Sequence, residues 1–138
     1  MFRRLTAMLL LMFFTVGSVY AAERQGIGPA KSIEEANARQ AQFNELLKQN
    51  KEAWAAKDYS KAIEALKKAY ELAPNNSGVA YNLACLYALT GEKAEALDWL
   101  ERSVRLGTAN PQHILNDNDL VTLREEPRFK AAVANAKE

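Results

Sequence analysis

Residues 81–107, YNLACLYALTGEKAEALDWLERSVRLG, decide the fold of this chain. Their apolar positions fall into two helical sets, Leu83, Leu86 and Tyr87, then Ala96, Leu97, Leu100 and Val104. Gly91 stands between the sets, where a helix end can turn through a positive backbone angle that side chains resist. Two helices joined by so short a turn must lie antiparallel and bury their facing stripes against each other.

A close copy precedes this hairpin. Laying residues 43–76 over 77–110 pairs Ala62 with Ala96, Ile63 with Leu97, Glu64 with Asp98, Leu66 with Leu100, Ala69 with Ser103 and Leu72 with Leu106, all at a spacing of 34 residues. Small residues at 62/96 and 69/103 let helix backbones approach closely, while the larger ones fill the space beside them. Pro74 ends the first unit because its ring cannot continue a helix.

Working outward, Ser32 stands three residues before Glu35, a reciprocal capping pattern that predicts a helix start. Between Ile33 and Pro74 neither Gly nor Pro interrupts the chain. The spacing predicts a long first helix to about Lys57, a second from the Asp58 cap to about Leu72, and a turn and cap at Asn75-Asn76-Ser77. Two further helices are expected over 78–90 and 92–106. Residues 111–138 do not read as a third copy, because Lys130 falls where the small residue should be. A short helix over 119–124, capped by Asp117 or Asn118, and another opened by Pro127 and running to Lys137 are expected instead. Leu120, Leu123, Phe129 and Val133 would then cover the open face of the second hairpin.

The first residues form a different object. Arg3 and Arg4 precede an uncharged run, LTAMLLLMFFTV, followed by Gly17-Ser18-Val19-Tyr20-Ala21-Ala22. A basic start, a short apolar middle and small residues at the end make a secretory signal peptide over 1–21, cut after Ala21. Residues 22–31, with Gly26, Gly28 and Pro29, read as a flexible lead-in, and 32–138 as one domain. The expected location is periplasmic or secreted, with no stable membrane span once the signal is removed. Cleavage would take the net charge from +1 to −1, so no strong field favours nucleic acid or an anionic membrane.

The 34-residue helix–turn–helix period, with Ala62, Leu66, Ala69 and Pro74 in one unit and Tyr87, Ala96, Leu100 and Ser103 in the next, resembles the tetratricopeptide repeat. Asn50 stands where the pattern favours Gly, Lys57 replaces the turn Gly, and Thr108 stands where Pro is usual. The resemblance implies an all-α fold of two repeats, about 43–76 and 77–110, with a long N-terminal helix and a C-terminal capping segment over 111–138. Stacked repeats need about three units, or caps that imitate them.

The resemblance also implies that the first helix of each hairpin lines a concave groove. By position the groove residues are Asn44, Leu47, Lys51 and Trp54 in the first unit, with Gly78, Tyr81, Asn82, Cys85 and Leu89 in the second. Such a groove would hold a peptide or protein partner, Asn82 matching the position that contacts ligand backbone in peptide-binding members. Leu47 and Lys51 do not reproduce the basic clamp for C-terminal carboxylates. The same groove could equally be filled by the chain's own N-terminal helix or C-terminal lid.

Trp54 and Trp99 suit either interface anchoring or packing between hairpins. Cys85, the single cysteine, lies in an apolar run and reads as a buried thiol. His113, with Asp117 and Asp119 nearby, lacks a second nitrogen or sulfur ligand at helical spacing, so no metal site is expected. No catalytic residues, phosphate loop or cofactor motif are found, and no basic–aromatic stripe suggests nucleic acid. The expected function is a non-enzymatic protein–protein interaction module of the bacterial cell envelope. The alternative is an assembly subunit or homo-oligomer whose repeats stack on another repeat protein.

Overall fold

The computed structural model describes residues 29–107 and 110–136. The segment expected to be the signal peptide, and most of the lead-in, lie outside the described residues. The chain divides into two units, 1–41 and 42–138. Of the first, only a helical stretch beginning at Pro29 is described, and its side chains from Ser32 to Ala41 are exposed.

Helix α1 spans Pro29–Ala55, three residues earlier than the Ser32 start the sequence suggested. Proline suits a first helical turn, since its fixed φ is already helical and its missing N–H would find no partner there. Helix α2 covers Tyr59–Leu72, α3 Ser77–Thr90 and α4 Lys93–Arg105. These follow the two expected hairpins closely, and all regular structure among the described residues is helical.

Both hairpin turns are built alike. Gly91 adopts φ 85° after α3, and Glu92 N–H reaches back to the Tyr87 carbonyl at 2.9 Å. Thirty-four residues earlier Lys57 takes φ 59°, and Asp58 N–H reaches the Ala53 carbonyl at 2.9 Å. This bond satisfies, in each turn, a helix-end carbonyl that would otherwise lack a donor. Asp58 Oδ1 then accepts from Lys61 N–H at 3.2 Å to start α2, and Asn76 Oδ1 accepts from Val79 N–H at 3.0 Å to start α3. Asn110, one period beyond Asn76, caps the following helix through Gln112 N–H at 2.7 Å.

Ala62, Ala69, Ala96 and Ser103 are all fully buried, as close backbone approach requires. Ser103 occupies an apolar position because its hydroxyl donates to the Leu100 carbonyl at 2.8 Å within its own helix. Leu66, Leu83, Leu86 and Leu100 fill the space alongside. Trp99 meets Tyr70 edge-on at 4.9 Å, with the Arg102 guanidinium 5.1 Å from its ring centre, so this tryptophan is half-buried between the second helices of the two repeats.

The C-terminal segment begins as a third repeat and then departs from it. Helix α5 (Pro111–Asn116), which the sequence reading did not anticipate, buries Ile114. A 3₁₀ helix over Asn118–Leu123 follows, capped by Asp117 and burying Leu120 and Leu123. Helix α6 starts at Pro127 as expected but ends at Asn135, with Phe129 and Ala132 buried and Val133 partly so. It packs on α4 and α5, while the 3₁₀ helix packs on α3. Arg128 forks onto Asp98 at 2.6 Å and Glu101 at 2.8 Å. These are exposed pairs, each worth about 0–1 kcal/mol, so the buried apolar residues hold the lid.

Two substitutions test this packing. Ala96→Leu should destabilise the protein by about 1–3 kcal/mol in denaturant unfolding, because no space exists for added atoms between the helices. Lys57→Gly should stabilise it by about 0.5–1 kcal/mol, relief of left-handed strain of about 1–2 kcal/mol outweighing the entropy glycine adds to the unfolded chain. A fall in midpoint for the second variant would show that the Lys57 side chain contributes more than its backbone costs.

Candidate functional site

The first helices of the two repeats leave a hollow between them. Leu47, Asn50, Lys51, Trp54 and Ala55 of α1 line it together with Asn82 of α3, enclosing about 520 Å³. On α1 these residues recur at three- and four-residue intervals, so helical geometry alone brings them to one face. Trp54 and Leu47 are half-buried and form the apolar part, while Lys51 and Asn82 are exposed at its edge.

Four of the residues expected in the groove therefore converge: Leu47, Lys51, Trp54 and Asn82. Asn44 is exposed on α1 but does not line the hollow, and Leu89, 36% exposed on the last turn of α3, also lies outside its lining. Asn50 lines the hollow and was missed as a site residue. Its signal was present in the sequence, as an amide standing where the repeat pattern favours Gly. Asn50 is 7% exposed, and its Nδ2 donates to the Ala62 carbonyl at 3.2 Å, joining α1 to α2.

Tyr81 and Cys85 require a correction. Both are buried, 7% and 2% exposed, beneath the C-terminal segment, so neither belongs to an open wall. The Tyr81 hydroxyl donates to Asp117 Oδ2 at 2.8 Å, and the Cys85 thiol points at the same oxygen at 3.8 Å. Asp117 Oδ1 accepts Asp119 N–H at 2.9 Å, Arg124 Nη2 donates to the Asp117 carbonyl at 3.2 Å, and the His113 ring lies 5.5 Å from that of Tyr81. The physical reason is that α3 is apolar on nearly every side, so the face carrying Tyr81 and Cys85 also had to be covered.

Cys85, Asp117 and Asp119 bring one potential ligand atom each to within 4.8 Å of one another. The Asp117 carboxylate already accepts from Tyr81, from the Cys85 thiol and from the Asp119 backbone N–H, which makes it the centre of a polar latch for the lid. Burial first, and then the Asp117 charge, push the Cys85 thiol well above its ordinary 9.0. Burial and the hydrogen bond to Asp117 likewise raise Tyr81 above 10.0. Asp119 is raised by burial and by the neighbouring Asp117 carboxylate.

Residues 53–113 match the family model described as tetratricopeptide repeat. Over that stretch the chain is similar to the tetratricopeptide repeat family. The matched stretch runs from the last turn of α1 through the first turn of α5, so most of the α1 wall, with Leu47, Asn50 and Lys51, precedes it. No solved structure matches the chain. Tetratricopeptide repeats are protein–protein interaction modules and typically non-enzymatic scaffolds. Among the described residues no helix is long and apolar enough to cross a membrane.

The latch has a pH signature. Cys85 and Tyr81 are acids whose protons the fold retains and the unfolded chain releases. Stability is therefore full below the unfolded values and falls as pH rises through 9.0 for the thiol and 10.0 for the phenol. Thermal unfolding measured from neutral to alkaline pH should show this loss. Cys85→Ala should remove the part that begins near 9.0 and Tyr81→Phe the part near 10.0. An alkaline profile identical in wild type and both variants would contradict the latch.

Proposed function

We propose that this protein is an exported interaction module of the bacterial cell envelope that holds a segment of another polypeptide in the hollow between α1 and α3. The observation that carries this reading is the convergence of Leu47, Lys51, Trp54 and Asn82 on one open cavity, although the C-terminal lid covers the neighbouring face. Its volume falls within the roughly 300–1,000 Å³ usual for sites that take up a ligand or the anchoring part of a peptide. An indole and a leucine offer apolar area, and the amide and ammonium groups at the edge offer direction. Export is supported by Arg3, Arg4 and the apolar run from Leu5 to Val16.

Photocrosslinking in the native host tests both parts. A photoreactive residue at Asn82, inside the cavity lining, should yield protein adducts in the envelope fraction. The same residue at Lys67, exposed on α2 and outside that lining, should yield none of them. Adducts at both positions would remove the groove, and Asn82 adducts confined to the cytoplasmic fraction would remove the export.

A further inference from the structure

Helix α1 starts well before the first residue it buries. Every side chain from Ser32 to Gln42 is exposed, and Ile33, at 60%, is the most exposed large apolar residue among the described ones. Helices in proteins owe most of their stability to a packed apolar face, and these turns bury none of theirs.

Such a face is nevertheless written along α1. Ile33, Ala36 and Gln40 recur at alternating intervals of three and four residues, and the same series runs on through Phe43, Leu47, Asn50 and Trp54. This is the narrow stripe by which one helix seats against another. Its two halves have different fates. Leu47, Asn50 and Trp54 line the hollow, whereas Ile33, Ala36 and Gln40 are exposed.

The charges beside the stripe are opposite in sign. Glu34 precedes Lys48 by two seven-residue periods, so it flanks the exposed half as Lys48 and Lys51 flank the half at the hollow. All three are exposed, and none makes an ion pair among the described residues. The other wall of the hollow, α3, carries no charged side chain from Ser77 to Thr90.

Resting on the reading of the hollow as a groove for a polypeptide segment, we infer that this segment is the exposed start of α1 from a second copy of this chain. The two α1 helices run antiparallel, with Ile33 of one copy level with Asn50 of the other. Glu34 then falls between Lys48 and Lys51 of the second copy, and the small Ala36 meets its Leu47. A parallel pairing would set Glu34 against Glu34. Each copy owns both halves of the stripe, so the contact is made twice and closes as a dimer.

Sedimentation of the protein purified from its native host should show a reversible monomer–dimer equilibrium. At low salt Glu34→Lys should weaken the dimer about tenfold to a hundredfold, and Lys48→Glu combined with Lys51→Glu by as much. These positions are exposed, so the fold is kept. Mixed in equal amounts, the two variants should pair with each other at the wild-type level, because each exposed start then meets a hollow of opposite charge. A photoreactive residue at Asn82 should give dimers of this chain, with the adduct mapping between Ile33 and Gln40. A monomer at every concentration, a dimer that both variants leave unchanged, or variants that fail to pair when mixed overturns this inference. Asn82 adducts with other proteins alone also overturn it and leave the groove standing. No adduct at Asn82 removes the groove reading and this inference together.

Discussion

Helix α3 has no side that can face water for long. From Val79 to Ala88 only Asn82 is exposed, and an apolar helix of this kind is stable only when neighbours surround it. The rest of the second unit can be understood as the set of surfaces that meet this need. Helix α4 folds back along one flank through the Gly91 turn, α2 covers another, and the 3₁₀ helix closes a third. What remains near Asn82 is the only stretch of α3 that borders the α1 hollow. The candidate site is therefore the part of an enclosing shell that the chain's own elements do not complete.

Close packing sets the other limit. The fully buried Ala62, Ala69, Ala96 and Ser103 bring helix axes together so tightly that there is no tolerance for a change of register. The turns meet the same demand with different residues, glycine after α3 and a left-handed lysine after α1. The lysine carries backbone strain that glycine would not, and the 34-residue geometry is preserved all the same. Packing thus dictates the turn conformation, and the residue occupying it is secondary.

Much of this was legible in the sequence because it depends on local periodicity. The paired alanines, the Asp58 and Asn76 caps, the Gly91 turn and the burial of Leu120, Leu123 and Phe129 all follow from spacing within one or two helical turns. Other features escaped for identifiable reasons. Helix α5 has only six residues, too few to show a periodic stripe, and its cap Asn110 was read as the end of a repeat. Tyr81 and Cys85 occupy positions that a single hairpin would leave open, and nothing local reveals that Asp117, thirty-six residues after Tyr81, comes back to cover them. Asn50 departs visibly from the repeat pattern, but its bond to the Ala62 carbonyl, across the hairpin, does not show in local spacing.

The setting of Cys85 has a consequence for the chain's behaviour outside a reducing cytosol. A thiol attacks disulfides and oxidants as its thiolate, and this one is both buried and held in its protonated form by a facing carboxylate. The folded molecule can therefore carry an unpaired cysteine among oxidants without forming mixed disulfides or covalent dimers. Loss of the C-terminal segment would expose that sulfur, so cross-linked chains would report that the lid had opened.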